Sequence, residues 1–138
     1  MRKKELLFYL LNIVVPILIG TYIYIRYSPN VIFVGYLNNF IELKAKELNS
    51  VTLFLRNYLC DFCWSYSLAF SISFIYYENL SLVYSILIPT TIGSVIELLQ
   101  LIGLMNGTYD LFDIFVELLA TLLCFMILKI RNDKEAKL

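Results

Sequence analysis

Four apolar runs, each about as long as a membrane is thick, constrain this chain more than any other feature. They extend over residues 6–27, 58–77, 80–102 and 109–130. Because an α-helix rises 1.5 Å per residue, about 20 apolar residues cross the hydrocarbon core of a bilayer. A water-soluble chain of 138 residues would instead carry shorter, amphipathic segments. The sequence therefore predicts an all-α fold, an integral membrane bundle of four transmembrane helices that forms a single membrane domain.

The composition narrows the possible partners. Hydrophobic residues make up 60% of the chain, charged residues make up 16%, and the formal net charge is zero. Nucleic-acid binding normally needs a basic surface, so we expect no nucleic-acid partner and expect the lipid bilayer to surround the chain. The sequence contains no histidine, which is a common ligand of zinc, copper and haem. We therefore predict no cofactor and no transition-metal site.

The connector between the first two runs, residues 28–56, is too polar to cross a membrane. Between Leu43 and Leu55, apolar residues recur every three to four positions with charges between them. This spacing predicts an interfacial amphipathic helix between the first and second spans. A disordered loop is the alternative interpretation.

The distribution of basic residues predicts the orientation. Of the 11 Lys and Arg residues, seven lie near the two termini, four lie in or beside the connector, and neither hairpin loop carries one. An even number of spans places both termini on the same side. Because basic residues concentrate on the inner side, we expect a multi-pass protein of the cell membrane with both termini cytoplasmic.

Acidic side chains inside the apolar runs are the main candidates for function, because charge at membrane depth costs roughly 2.5–3.5 kcal/mol on insertion scales. Asp110, Asp113 and Glu117 stand at positions i, i+3 and i+7, so they line one stripe of a helix. In the four-span topology, spans two and four begin where span three ends. We therefore expect one cluster of ligand-binding residues at a common rim: Arg56, Asp61, Glu97, Gln100, Asp110, Asp113 and Glu117.

Part of this cluster follows a family motif. Glu97-x-x-Gln100 ends one membrane helix, and Gly107-Thr-x-Asp110-x-x-Asp113 leads into the next. This pattern resembles the VanZ-like family of small bacterial multi-pass membrane proteins. The family continues with Asn and Gly on the following turns, where this chain has Glu117 and then Ala120 or Thr121.

A second segment extends the resemblance over residues 56–130. Arg56-Asn-Tyr-Leu-Cys-Asp-Phe-Cys-Trp64 is similar to the Arg-Asn…Asp-Phe-x-Trp start of a helix in related small membrane proteins. The resemblance implies a bacterial envelope protein with a link to glycopeptide (teicoplanin) resistance. It leads us to expect an acidic extracytoplasmic pocket for an envelope-lipid head group or a glycopeptide-like molecule. An all-oxygen site of this kind would also suit Mg²⁺ or Ca²⁺.

A purely structural role is the main alternative for these acids. Interhelical hydrogen bonds from Glu97, Gln100, Asp110 and Asp113 would lock spans three and four together, at about 0.6 kcal/mol each in membranes. Asp110 would also suit the N-cap of the fourth helix.

Two further functions stay open. Cys60-x-x-Cys63 is similar to the cysteine pair of four-helix membrane thiol oxidoreductases, although their redox relay uses a second pair and this chain has only Cys124 besides. A non-catalytic accessory subunit of a larger membrane complex, or a homo-oligomer, also fits the size. The sequence contains no recognisable pair of nucleophile and base, which favours a function other than catalysis.

Overall fold

The computed structural model describes residues 3–27, 36, 49–76 and 82–135. Within these ranges it contains four long helices: α1 (Lys3–Tyr27), α2 (Ser50–Ile75), α3 (Tyr84–Leu101) and α4 (Leu111–Glu135). Each helix is long and apolar enough to cross a membrane. For the described residues, the predicted all-helical fold with four helices long and apolar enough to span a membrane is therefore confirmed.

The start of α2 differs from the prediction. It begins at Ser50 rather than Tyr58, because Asn49 and Thr52 form a capping box. The Asn49 side chain accepts the Thr52 N–H, and the Thr52 hydroxyl accepts the Asn49 N–H, both at 2.8 Å. The end of the predicted interfacial helix therefore belongs to α2. The rest of that prediction, residues 28–48 apart from Tyr36, lies outside the described residues.

One turn of α2 is wider than an α-helix. Leu55–Leu59 is π-helical, and regular α-helix resumes at Cys60. Single π-helical turns inside α-helices often mark functional sites. In this helix the turn carries Arg56, Asn57 and Tyr58.

The turn between α3 and α4 sets these helices antiparallel, and it contains Gly103, a residue type that predicts turns from sequence alone. Gly103 has φ +73°, a left-handed conformation that glycine adopts without steric cost. Its N–H donates to the Gln100 carbonyl at 3.0 Å, and the Leu104 N–H donates to the Leu99 carbonyl at 2.9 Å. These two bonds form a Schellman motif, which ends α3. The end of α3 and the start of α4 are thereby held at the same end of the bundle.

The tightly packed core lies toward the other end, where α1 begins and α4 ends. Phe70 is fully buried and packs against Tyr66 and Phe8, at ring-centroid distances of 4.8 and 5.8 Å. The Arg131 guanidinium carbon lies 4.1 Å from the Phe8 ring centroid, a cation–π distance. We call this cluster the aromatic core; its buried members are Tyr9, Tyr66, Ala69, Phe70, Ala120, Cys124 and Leu128.

A polar contact between α1 and α2 adds to this packing. The Tyr66 hydroxyl donates to the Asn12 side-chain oxygen at 2.7 Å, and the Asn12 amide donates to the Phe8 carbonyl at 2.9 Å. Large apolar side chains on the outer surfaces of all four helices are exposed. This is the surface expected where lipid, rather than water, surrounds the bundle.

Candidate ligand-binding cavity

The sequence-predicted site residues surround one cavity at the end of the bundle opposite the aromatic core. The cavity has a volume of about 470 Å³, and we call it the polar cavity. Its lining includes every predicted ligand-binding residue: Arg56, Asp61, Glu97, Gln100, Asp110, Asp113 and Glu117. It also includes Tyr24, Asn57, Cys60, Trp64, Ser65, Ile96 and Thr108. The expected convergence of these residues at one end is therefore observed.

Asp110 joins three helices at the rim of the polar cavity. Its backbone N–H donates to Glu97 Oε2 on α3 at 2.8 Å. Its own Oδ1 accepts the Phe112 N–H at 2.9 Å, which caps α4. Its Oδ2 accepts the hydroxyl of Tyr58 on α2 at 3.2 Å. Glu97 and Asp110 thus serve the structural role that we considered as the alternative.

The backbone conformation and the close packing at residue 107 explain why a glycine precedes Asp110 and Asp113 in the motif. It has φ +146°, and a Cβ at this position would lie 2.6 Å from the Cδ and Nε2 atoms of Gln100. Any other residue would therefore both strain the backbone and displace the Gln100 amide. The motif residues Gln100 and Gly107 are in direct contact, as are Glu97 and Asp110.

Glu117 lies over Gly93 of α3. A Cβ at residue 93 would overlap the Glu117 carboxylate, so the glycine is what lets this side chain fit between the helices. Glu117 Oε2 and Asp113 Oδ1 are buried, and neither atom accepts a hydrogen bond from the described residues. An unsatisfied buried polar atom costs about 1–3 kcal/mol. The described residues therefore leave hydrogen-bonding capacity on both carboxyl groups unused, and both groups line the polar cavity.

Arg56 lines the polar cavity but does not neutralise the negative charge of its described carboxylates through an ion pair. Its Nε donates to the Asn57 side-chain oxygen at 2.9 Å, and in the described part of the chain no ion pair joins it to a cavity carboxylate. Among the described residues, the lining contains five carboxylates and one arginine; the carboxylates belong to Asp61, Glu97, Asp110, Asp113 and Glu117. The charge of the cavity is therefore acidic, and a cationic group would complement it.

The described acidic side chains of the polar cavity do not surround a common position that a metal ion could occupy. Among the residues that the structure describes, no three Asp, Glu or Cys side chains form a group that could hold a metal ion. The binding of Mg²⁺ or Ca²⁺ by these carboxylates therefore stays a prediction.

The cysteine pair faces α1. Cys60 and Cys63 are buried free thiols, and the Cys60 thiol donates to the Gly20 carbonyl at 3.4 Å. Cys124 lies in the aromatic core, toward the other end of the bundle. The oxidoreductase alternative stays a prediction, and no contact described here favours it.

A second cavity adjoins the first and extends deeper into the bundle. It has a volume of about 480 Å³, and we call it the apolar cavity. Its walls come from all four helices: Ile17, Thr21, Trp64, Ser65, Ser67, Leu68, Ser71, Pro89, Ile92, Gly93, Ile96 and Glu117. Trp64, Ser65, Ile96 and Glu117 line both cavities.

Sequence reasoning missed two tyrosines of the site. Tyr58 binds Asp110, and its position three residues before Asp61 was a usable signal for a shared helical face. Tyr24 lines the polar cavity from α1. It stands at the end of an apolar run beside Thr21, Tyr22 and Tyr27, and no pattern in the sequence distinguished it from these neighbours.

Comparison with protein-family models, curated proteins and solved structures finds no match to this chain. The resemblance to the VanZ-like family therefore stays a prediction from the motif residues alone. The functional argument must come from the cavity itself.

Proposed function

We propose that this chain is a VanZ-like bacterial envelope membrane protein whose polar cavity binds an amine- or hydroxyl-bearing group. An envelope-lipid head group or a glycopeptide-like molecule would supply that group. The observation that carries this proposal is the lining of five carboxylates with one arginine, which is not paired with any of them. Ionised carboxylates only accept hydrogen bonds, so their complement is a donor-rich or cationic ligand.

The acids divide into two pairs with different roles. Glu97 accepts the Asp110 backbone N–H, and the Asp110 side chain accepts the Phe112 N–H and the Tyr58 hydroxyl, so these two acids hold the rim together. Asp113 and Glu117 each keep a buried oxygen without a donor. We therefore assign ligand binding chiefly to Asp113 and Glu117, and positioning of the rim to Glu97 and Asp110.

The contacts among the motif residues support the family assignment. Glu97 contacts Asp110 and Gln100 contacts Gly107, so four of the five motif positions form one local unit. The excess of Lys and Arg near the termini supports cytoplasmic termini. With that orientation, the polar cavity would open on the extracytoplasmic side, where glycopeptides and envelope lipids are met.

Titration of the purified protein with teicoplanin tests this proposal. The only tryptophan, Trp64, lines the polar cavity and reports on its occupancy by fluorescence. We expect Asp113→Asn and Glu117→Gln each to weaken binding about tenfold, the effect of losing one charge-assisted hydrogen bond. Asp133→Asn is the matched control, since Asp133 is exposed at the other end of α4.

Two results would contradict the proposal. The first is equal teicoplanin affinity for the wild type and both cavity variants. The second is unchanged glycopeptide tolerance in cells that carry Asp113→Asn or Glu117→Gln, provided that each variant folds as the wild type does. In both cases the carboxylates would be parts of the helix packing only.

A further inference from the structure

We infer that the ligand is a single-chain amphiphile, with an amine in the polar cavity next to an apolar chain that lies in the apolar cavity. This inference rests on the proposed function of the polar cavity and specifies its ligand. Four residues are shared between the two cavities, so one molecule can occupy both. Volumes of about 470 and 480 Å³ each lie within the usual range for small-molecule sites.

The depth of the polar and apolar cavities together matches the thickness of one leaflet of a bilayer. From Asp61 in the polar cavity to Ser71 in the apolar cavity, α2 advances about 15 Å. From Gln100 to Pro89, the antiparallel α3 covers nearly the same depth. The hydrocarbon core of a bilayer is about 30 Å thick, so the two cavities together reach about its midplane. The apolar cavity accounts for about 10 Å of this depth, from Trp64 to Ser71, and this is the length available to the chain.

The walls of the apolar cavity suit hydrocarbon despite their serines. The Ser67 hydroxyl donates to the Cys63 carbonyl and the Ser71 hydroxyl donates to the Ser67 carbonyl, both at 2.8 Å. These hydroxyls are satisfied within α2 and need no partner from a ligand. Among the remaining lining residues, four are aliphatic (Ile17, Leu68, Ile92 and Ile96), and proline, glycine and the Trp64 ring add apolar surface. The other polar members are Thr21, Ser65 and Glu117.

The apolar cavity is open toward the lipid-facing surface. Trp64 is 49% exposed and Ile92 is 44% exposed, although both line the cavity. A molecule dissolved in the bilayer can therefore enter sideways, without first leaving the membrane.

Glu117 fixes where the charge of the ligand must lie. Its carboxylate lines both cavities, and its Oε2 is buried without a donor. A primary ammonium offers three donors, enough to serve the Glu117 and Asp113 carboxylates together, since both line the polar cavity. Because Glu117 stands at the junction, the amine must be attached close to the chain. In a lipid whose amine is separated from its chain by a phosphate, the amine would lie too far from Glu117 when the chain occupies the apolar cavity.

Quenching of Trp64 fluorescence by brominated amphiphiles tests the inference. The full chain is reconstituted in phosphatidylcholine vesicles with a chain-brominated long-chain alkylamine or with its N-acetylated form. Both molecules bring bromine to the lipid around Trp64, but only the first carries a cation. We expect the amine to reach half-maximal quenching at about tenfold lower mole fraction than the acetylated form, the value of a charge-assisted hydrogen bond.

Two pairs of variants separate the chain site from the head-group site. Ile92→Phe narrows the apolar cavity, and Leu87→Phe is its control on the exposed surface of α3 outside the lining. Glu117→Gln removes the charge at the junction, with Asp133→Asn as its control. We expect Ile92→Phe and Glu117→Gln to abolish the preference for the amine, and both controls to keep it.

Equal quenching by the amine and its acetylated form would overturn the inference, and this comparison needs no variant. If Glu117→Gln removes the preference but Ile92→Phe does not, the acidic head-group site stands and the chain site is wrong. If Glu117→Gln leaves both the amine preference and teicoplanin binding as in the wild type, the proposed function fails together with the inference.

Discussion

The two ends of this bundle are built from the same four helices but are packed in opposite ways. At one end, Tyr9, Phe70 and Leu128 fill the space between the helices completely. At the other end, the helices enclose two adjoining cavities and five carboxylates. The difference indicates that one half supplies the rigid packing, which allows the other half to stay hollow and charged.

Side-chain size explains the contrast along single helices. α1 contributes aromatic Tyr9 to the filled end and Gly20 to the open end, where Trp64 packs against it. α3 places Gly93 beside Glu117 at the open end. Small residues let the helix backbones accept large or charged neighbours, and without them the cavities would close.

Phe70→Ala is expected to give the largest effect on stability. Removing a fully buried ring leaves a void among Phe8, Tyr9 and Tyr66, and we expect a loss of about 3 kcal/mol in the free energy of unfolding. This is the low end for such substitutions, because lipid already surrounds apolar groups in the unfolded reference. Unfolding in mixed detergent micelles, followed by circular dichroism, measures it.

The lipid-facing Phe115→Ala is the matched control for this substitution, since Phe115 is exposed on α4. We expect its free energy of unfolding to stay close to that of the wild type. If Phe115→Ala cost as much as Phe70→Ala, the filled end would not be the source of rigidity.

Gly93→Ala tests the open end, with an intermediate effect. The new methyl group overlaps the Glu117 carboxylate, and we expect a loss of about 2 kcal/mol from overpacking. Glu117→Ala in the same chain should restore most of that loss, because it removes the overlapping group. A double-mutant cycle of unfolding free energies measures the coupling. Additive losses would show that Glu117 does not lie over Gly93.

Asp110→Ala should give the smallest effect, about 1 kcal/mol, because the N-cap of α4 is lost. Asp110→Asn keeps an oxygen that can accept the Phe112 N–H, so we expect its stability to stay within a few tenths of a kcal/mol of the wild type. The same unfolding measurement compares the two. Equal losses for both variants would mean that the negative charge, rather than the cap, stabilises the rim.

At the open end, the sequence predicted which residues would come together, but not all of the contacts between them. The spacing of Asp110, Asp113 and Glu117 placed them on one stripe, and all three line the polar cavity. Gly103 correctly marked the turn that brings α3 to α4. These features depend on helical periodicity and turn chemistry, which are local properties of the chain.

Other features depend on contacts between helices and could not be read from spacing. Nothing in the sequence pairs Gly93 with Glu117, and the apolar run of α1 gave no sign that Tyr24 reaches the polar cavity. The start of α2 was readable, since Asn49-x-x-Thr52 is a capping box. The charged residues before it favoured a separate interfacial helix instead.

The wide turn at Leu55–Leu59 has a consequence for how this molecule can vary. In a π-helical turn the ladder of backbone bonds holds one residue more than an α-helix does. Deletion of one residue in this turn would restore regular α-helical geometry. It would also rotate the preceding residues of α2 by about 100° around the helix axis. A single deletion would thus change the direction of Arg56 and its neighbours while the helix from Cys60 onward kept its register. Ligand preference could therefore change between related chains without a change in the fold of the bundle.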